Sequence, residues 1–356
     1  MARLDQLFRH LKDQGGSDLH LAAGMQPHMR QHGSVKPIGG WPTFTDESLR
    51  DHLKELASEK QWSHYVGNLD LDFAYALAGV ARFRANYFNQ ERGAAAVFRI
   101  IPEKIRTLED LKAPAALSAL ADLEQGLVLV TGPTGSGKST TLAAIIELIN
   151  TRHSKHIVTI EDPVEFVHQN KKCTLSQREV GNDTKSFANA LRSAIRQDPG
   201  VILVGEMRDS ETIEIALKAA ETGHLVLSTV HTQDCYRTIG RIIGVFPPEG
   251  QTGVRNRLAE NLRGTVSQRL LPHASGKGRA VAAEIMVSTL TVTEFIKDPK
   301  RTHELTDFLE RNQDLLGTQS FDMHLAALLK SGQITRETAL EAASNRADFE
   351  RALAFE

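Results

Sequence analysis

Cysteine is scarce in this chain: Cys173 and Cys235 are the only two in 356 residues. Two thiols cannot build a disulfide framework or a four-cysteine zinc module, so they read as reduced thiols of a cytosolic protein. Long apolar runs are missing as well. No stretch approaches the ~18 residues that a bilayer-spanning helix needs. The N-terminus, Met1-Ala-Arg-Leu-Asp-Gln-Leu-Phe-Arg-His10, is amphipathic and lacks the apolar core of a signal peptide. A cytoplasmic location is the expectation. Charge of one sign is also lacking: 42 Lys and Arg face 44 Asp and Glu, a net charge of −2. No global field therefore draws the chain to nucleic acid or an anionic bilayer, which leaves only a local basic groove open. Internal repeats and low-complexity segments are absent.

What is there suffices for a large core. Hydrophobic residues make up 41% and charged residues 24%, close to globular averages, and the length suggests about two domains. Leu4, Leu7, Phe8 and Leu11 form the stripe of a short amphipathic helix over residues 3–12. Ser17 to Ala22 alternates as a strand. Residues 46–60 read as one helix with Leu49, Leu53 and Leu56 on a face. Strand texture returns over 69–75, 82–88 and 94–101. Residues 1–102 thus read as a small α+β domain ended by Pro102, and 103–115 as a linker with one helical turn. From there short apolar strands alternate with helices: 126–131, then a helix to Asn150; 157–160; a helix over 187–196; 201–204; a helix over 211–221; 224–229. That is the signature of an α/β fold with a parallel sheet covered on both faces. It assigns a core to 116–290 and a helical tail to 291–356.

Gly132-Pro133-Thr134-Gly135-Ser136-Gly137-Lys138-Ser139 fits the phosphate-loop pattern between a strand and a helix. Small residues let successive N–H groups point inward at a phosphate, and the helix N-terminus adds partial positive charge. Thr140 follows in the first helical turn. Lys138 would reach the β- and γ-phosphates of ATP, and the Ser139 hydroxyl would ligate Mg²⁺. Val201-Ile-Leu-Val-Gly-Glu206 is an apolar strand ending in an acid. Beside a phosphate loop, that carboxylate holds the Mg²⁺ shell or orients the attacking water. A second strand, Ile157 to Ile160, is followed by Glu161, Asp162 and Glu165, at the strand end where ligands of open α/β sheets bind; one of them is a candidate general base. His224 and His231 bracket a further strand, with a spacing that suits a contact to the γ-phosphate or the water better than a metal pair. Arg82, Arg84 and Arg99 lie on strands and Arg241 follows the His231 segment. Taken alone, the strand arginines read as a solvated face.

Together these motifs resemble the PilT/PilU family, the type IV pilus retraction motors among the secretion ATPases. The likeness rests on Gly16-Ser-Asp-Leu-His-Leu21, Arg82 to Gly93 and Val97 to Pro102 in the first part. In the core it rests on Gly132 to Ser139, Ile160-Glu-Asp-Pro-Val-Glu-Phe-Val-His168, Ala194 to Pro199, Val204-Gly-Glu-Met-Arg-Asp209 and Thr222 to Thr232. The resemblance implies a PAS-like N-terminal domain, a RecA-like ATPase domain and a homohexamer with nucleotide at a subunit boundary. It implies Glu165 as the water-activating acid, Glu206 as the Walker B acid, His224 and His231 as His-box residues, and Arg84, Arg99 and Arg241 as phosphate contacts. It also implies an inner-membrane pilus platform protein as partner, a location at the pilus base, and a paralogous motor beside this one.

The short N-terminal part and the two cysteines favour retraction-type architecture over extension and type II secretion ATPases, which usually carry a four-cysteine zinc module. One segment departs from the retraction motors: Val292-Thr-Glu-Phe-Ile-Lys-Asp-Pro-Lys-Arg301 stands where they carry an Ala-Ile-Arg-Asn-Leu-Ile-Arg-Glu-like stretch, whereas Leu316 to Asp322 and Ile334 to Ala339 keep the family's tail. The expectation is an ATP-hydrolysing motor, with an accessory PilU-like motor as the alternative. An ATP-gated scaffold without sustained turnover and a nucleic-acid translocase are the rivals; the paired acids weigh against the first and the near-neutral charge against the second.

Overall fold

Alternating apolar residues in the first hundred positions, and continuous apolar runs after them, produce two different sheets. The computed structural model describes residues 2–31, 33–101, 104–312 and 317–355. Pro102, Glu103 and Leu316, which carry part of the sequence expectations, lie outside the described residues. The chain divides into two compact units: residues 1–104 with 163–167, and residues 105–162 with 168–356.

The first unit is a six-stranded antiparallel sheet. Its strands are β1 (Asp18–Ala22), β2 (His28–Gln31), β3 (Ser34–Pro37), β4 (Asp70–Leu77), β5 (Ala81–Gln90) and β6 (Gly93–Ile101), in the order β3-β2-β1-β6-β5-β4. The helix Asp5–Asp13 buries the expected stripe of Leu4, Leu7, Phe8 and Leu11 against Phe83 and Phe98. The single helix expected over 46–60 is two helices, Asp46–Lys54 and Glu59–Asn68. Ser58 explains the break. Its hydroxyl accepts from Gln61 N while Gln61 Oε1 accepts from Ser58 N, a reciprocal box that starts a new helix. Gly93 closes the β5–β6 hairpin at φ 117°, and a Cβ there would collide with Asp46, whose Oδ1 accepts from Ala94 N at 2.6 Å.

The second unit carries β7 (Gly126–Thr131), β8 (His156–Glu161), β9 (Thr174–Glu179), β10 (Val201–Val204), β11 (Leu225–Val230), β12 (Leu262–Pro272) and β13 (Arg279–Val287), in the order β13-β12-β7-β11-β10-β8-β9. All neighbours are parallel except β12 and β13. Successive residues of each central strand feed opposite faces. Leu127, Leu129, Ile202 and Val204 join the helices Phe187–Ala194, Ser210–Glu221 and Cys235–Gly244. Val128, Val130, Val201 and Leu203 pack with Leu142, Ile145, Ile146 and Ile149 of the helix Lys138–Arg152. Each such side chain contributes ~1.5–3 kcal/mol on burial, which is why these runs contain almost no polar residue. This is the RecA-like α/β arrangement. Leu108 of the segment read as a linker packs into the second of these layers.

Strands β2, β3, β9, β12 and β13 and the helices Ala116–Ala121, Cys235–Gly244 and Pro248–Asn261 escape the sequence reading. The tail is helical as expected, with Leu290–Lys297, Glu304–Arg311, Phe321–Lys330, Arg336–Ala342 and Arg346–Phe355 among the described residues. Phe321, Leu325, Leu328 and Leu340 pack it against Ala280 and Ala282 of β13. No helix of the described residues is long and apolar enough to cross a membrane.

Candidate active site

The site is built where β7, β10 and β11 end. Thr131 closes β7, six loop residues follow, and a helix starts at Lys138. Gly132, Gly135 and Gly137 have φ of 139°, 80° and 91°, a conformation that side chains other than glycine rarely adopt. A Cβ at Gly132 would also strike the Gln268 carbonyl oxygen and the Ser136 hydroxyl. Pro133, Thr134 and Gly135 are exposed at the loop tip, and Ser139 and Thr140 are half-buried on the first helical turn. Ser136 is buried with its Oγ unpartnered. Lys138, only 8% exposed, donates from Nζ to Gly132 O at 2.8 Å and Pro133 O at 3.0 Å. A polar, glycine-lined cradle at a helix N-terminus, with a buried ammonium and an unpartnered hydroxyl, fits the phosphates of a nucleotide.

Glu206 stands two residues beyond β10. Its Oε1 forms an ion pair with Arg208, 2.6 Å from Nε, and His231 Nε2 lies 3.7 Å from its Oε2. The ends of β10 and β11 are tied together: Ser228 Oγ donates to Val204 O at 2.7 Å, Thr229 Oγ1 to Gly205 O at 2.6 Å, and Met207 N to Thr229 O at 3.2 Å. These bonds fix Glu206 and His231 relative to each other. Burial lowers the pKa of His231, and the positive charges of Lys138 and Arg208 lower it further against the opposing pull of Glu206. The imidazole is thus held neutral at physiological pH, able to donate from one nitrogen and accept at the other. Lys138, Glu206 and His231, singled out separately in the sequence, converge here.

His224 stands apart from these three. His224 lies at the opposite end of β11, where Leu225 pairs with Gly126 rather than with the phosphate-loop end of β7. Six strand residues put it on the order of 20 Å from the loop. Its Nδ1 sits 2.9 Å from Ala219 O at the end of the helix Ser210–Glu221. The structure therefore does not bring His224 to the site within the chain. Arg241 is exposed on the last turn of the helix Cys235–Gly244. Glu161 ends β8 and accepts from Thr159 Oγ1 at 2.8 Å. Glu165 belongs to the 163–167 segment of the first unit.

Arg84 and Arg99 also belong to the first unit, directly opposite each other on β5 and β6. Like charges in that position repel, and each has an acid beside it: Asp72 Oδ1 is 3.8 Å from Arg84 Nε, and Asp18 Oδ1 is 2.7 Å from Arg99 Nε. Burial would raise the Asp18 carboxyl, but the Ser17 hydroxyl and Arg99 outweigh it and hold it below its usual value. Arg84 and Arg99 stay substantially exposed.

Residues outside the sequence shortlist also line the site. Arg208 lies within the motif from Val204 to Asp209. Gln268, whose Nε2 donates to Thr141 Oγ1 at 2.8 Å, carries no sequence signal because β12 lacks an apolar period. Among the described residues no three His, Cys, Asp or Glu side chains form a metal cluster.

The type II/IV secretion system protein family model matches residues 68–344. The type IV pilus retraction ATPase PilT of Pseudomonas aeruginosa is 46% identical over 96% of this chain and 98% of its own length. The type IV pilus ATPase PilU of the same organism is 39% identical over 97% and 89%. The crystal structure of the pilus retraction motor PilT with bound ADP superposes with a TM-score of 0.89 at 42% identity, covering 99% of both chains. The chain belongs to the type II/IV secretion system protein family, as an ATPase of its PilT/PilU branch.

Proposed function

We propose that this chain is an ATP-hydrolysing motor that drives type IV pilus retraction and hence twitching motility. The observation that carries the reading is the convergence of Lys138, Glu206 and His231 on the glycine-lined loop at the ends of three parallel strands. The backbone N–H groups of 132–139 receive the phosphates of ATP. Lys138 exchanges two loop carbonyls for β- and γ-phosphate oxygens. The Ser139 hydroxyl and Glu206 hold Mg²⁺, which neutralises charge on the phosphates when bound. His231 donates to the γ-phosphate or the attacking water, and Glu165 activates that water. Arg84, Arg99 and Arg241 stabilise the charge that develops in the transition state. Positioning and charge stabilisation supply most of the rate in such sites.

In a homohexamer the PAS-like domain over residues 1–102 closes on a neighbouring subunit when ATP binds. Hydrolysis releases the closure, because open and closed states differ in affinity for ATP and ADP. Successive closures move an inner-membrane pilus platform protein, with the motor held at the cytoplasmic face of the pilus base. Steady-state phosphate release tests the reading. The wild type turns over ATP with Mg²⁺ and Lys138→Ala loses on the order of 10³-fold; equal rates in the two would contradict it.

A second reading, an accessory motor of the PilU kind, is favoured by Val292 to Arg301, which replaces a segment typical of principal retraction motors. Retraction that continues in a deletion strain would select it.

A further inference from the structure

Thr131, Ser267 and Glu284 occupy one row across three adjacent strands: Thr131 pairs with Ser267 between β7 and β12, and Ser267 with Glu284 between β12 and β13. Their side chains are linked along that row. Thr131 Oγ1 donates to Ser267 Oγ at 3.0 Å, and Ser267 Oγ donates to Glu284 Oε1 at 3.5 Å. The same Oε1 accepts from Cys235 N at 2.7 Å, in the first turn of the helix that carries Arg241. All three side chains are buried. Thr131 is the residue immediately before Gly132 of the phosphate loop. A buried carboxyl thus joins the start of that loop to the start of the Arg241 helix, and the catalytic scheme above makes no use of it.

We propose that Glu284 is a positioning residue for nucleotide binding, setting the first residue of the phosphate loop through Ser267 and Thr131 and anchoring the Arg241 helix through Cys235 N. This rests on the reading of residues 132–139 as the nucleotide site. Glu284 faces few charges. Asp234 and Cys235 stand on the helix side and Arg269 on β12. On the other side, His324 of the helix Phe321–Lys330 accepts from the neighbouring Ala283 N and is kept neutral by burial. Burial pushes Glu284 up to about 7, and the repulsion from Asp234 adds to that against the bonds from Cys235 and the field of Arg269. Below that pH the carboxyl is neutral. Above it, a buried negative charge stands one hydroxyl relay away from the loop that receives polyphosphate. Nucleotide affinity therefore weakens as pH rises through 7, while a neutral side chain of the same shape keeps it.

The test measures the Kd for ADP and the KM for ATP on the full chain from about pH 6 to about pH 8.5, a window centred on the Glu284 titration. The wild type loses on the order of fivefold in affinity across the window, and kcat changes less than KM. Glu284→Gln, which keeps the oxygen that accepts from Cys235 N, holds the low-pH affinity throughout. Ser267→Ala breaks the relay and flattens the same profile without altering Glu284. A wild-type profile without the step, or a step that Glu284→Gln and Ser267→Ala both retain, would overturn the proposal. ADP binding gives the answer whether or not the chain turns over. Loss of ADP binding in every variant, wild type included, would instead overturn both this role and the nucleotide site beneath it.

Discussion

The phosphate-loop strand β7 has two neighbours, and they support the site in different ways. On one side β11 is an apolar run that ends in a tight polar group: Ser228 and Thr229 stitch it to β10, and His231 meets Glu206. On the other side β12 buries Ser267 and Gln268 in its middle, one toward Glu284 and the other toward Thr141 of the phosphate-loop helix. In the proposed reaction the β11 side presents the reacting groups. The β12 side holds the loop in place from below. Chemistry concentrates at strand ends, where backbone and side chains are open to a ligand, whereas support lies within the sheet, where every polar group needs a partner.

Substitutions on the two sides separate these roles. On the β11 side, Glu206→Gln keeps its shape and loses its charge, and lowers kcat on the order of 10²-fold with little change in ADP affinity; a stopped assay for phosphate with a parallel binding titration reads both. His231→Gln lowers kcat by about tenfold. The same variant removes the acid limb of the rate profile, which in the wild type lies below the ordinary histidine range because His231 titrates low. On the β12 side effects fall on stability and binding. Glu284 has a folded value of about 7, above that of an unfolded carboxyl. Its stabilising contribution is full below the unfolded value and is lost as pH rises toward 7. Thermal midpoints of the wild type therefore fall between about pH 5 and about pH 8 relative to Glu284→Gln. The smallest effect belongs to Gln268→Ala, which removes the amide facing Thr141 and costs about 1 kcal/mol by denaturant unfolding, with kcat nearly intact. A large kcat loss in Gln268→Ala would erase the distinction between the two sides.

The same contrast explains what the sequence discloses. β7, β10 and β11 are legible because burial on both faces demands unbroken runs such as Leu127 to Val130 and Val201 to Val204. The phosphate loop is legible because three left-handed glycines and a lysine have few other uses. β12 reads Leu-Arg-Gly-Thr-Val-Ser-Gln-Arg-Leu-Leu-Pro, a polar mixture without apolar periodicity, since Thr265, Ser267 and Gln268 are buried against polar partners or among neighbouring strands. Burial of that kind leaves no period to find. Residues 46–60 mislead for a different reason. The apolar stripe of Leu49, Leu53 and Leu56 runs past the end of the first helix at Lys54, while the break is dictated by local capping at Ser58. His224 and His231 look equivalent in sequence because spacing along a strand does not say which end faces the ligand. Pairing of Leu225 with Gly126 and of Val230 with Thr131 decides it.

Nucleotide turnover at Lys138, Glu206 and His231 is proposed to power pilus shortening. Imaging labelled pili in a strain deleted for this gene, complemented with the wild type or with Glu206→Gln, tests it most directly. The expected outcome is pili that extend but do not shorten in the deletion strain, rescue by the wild type and no rescue by Glu206→Gln. Rescue by Glu206→Gln equal to that by the wild type would contradict it.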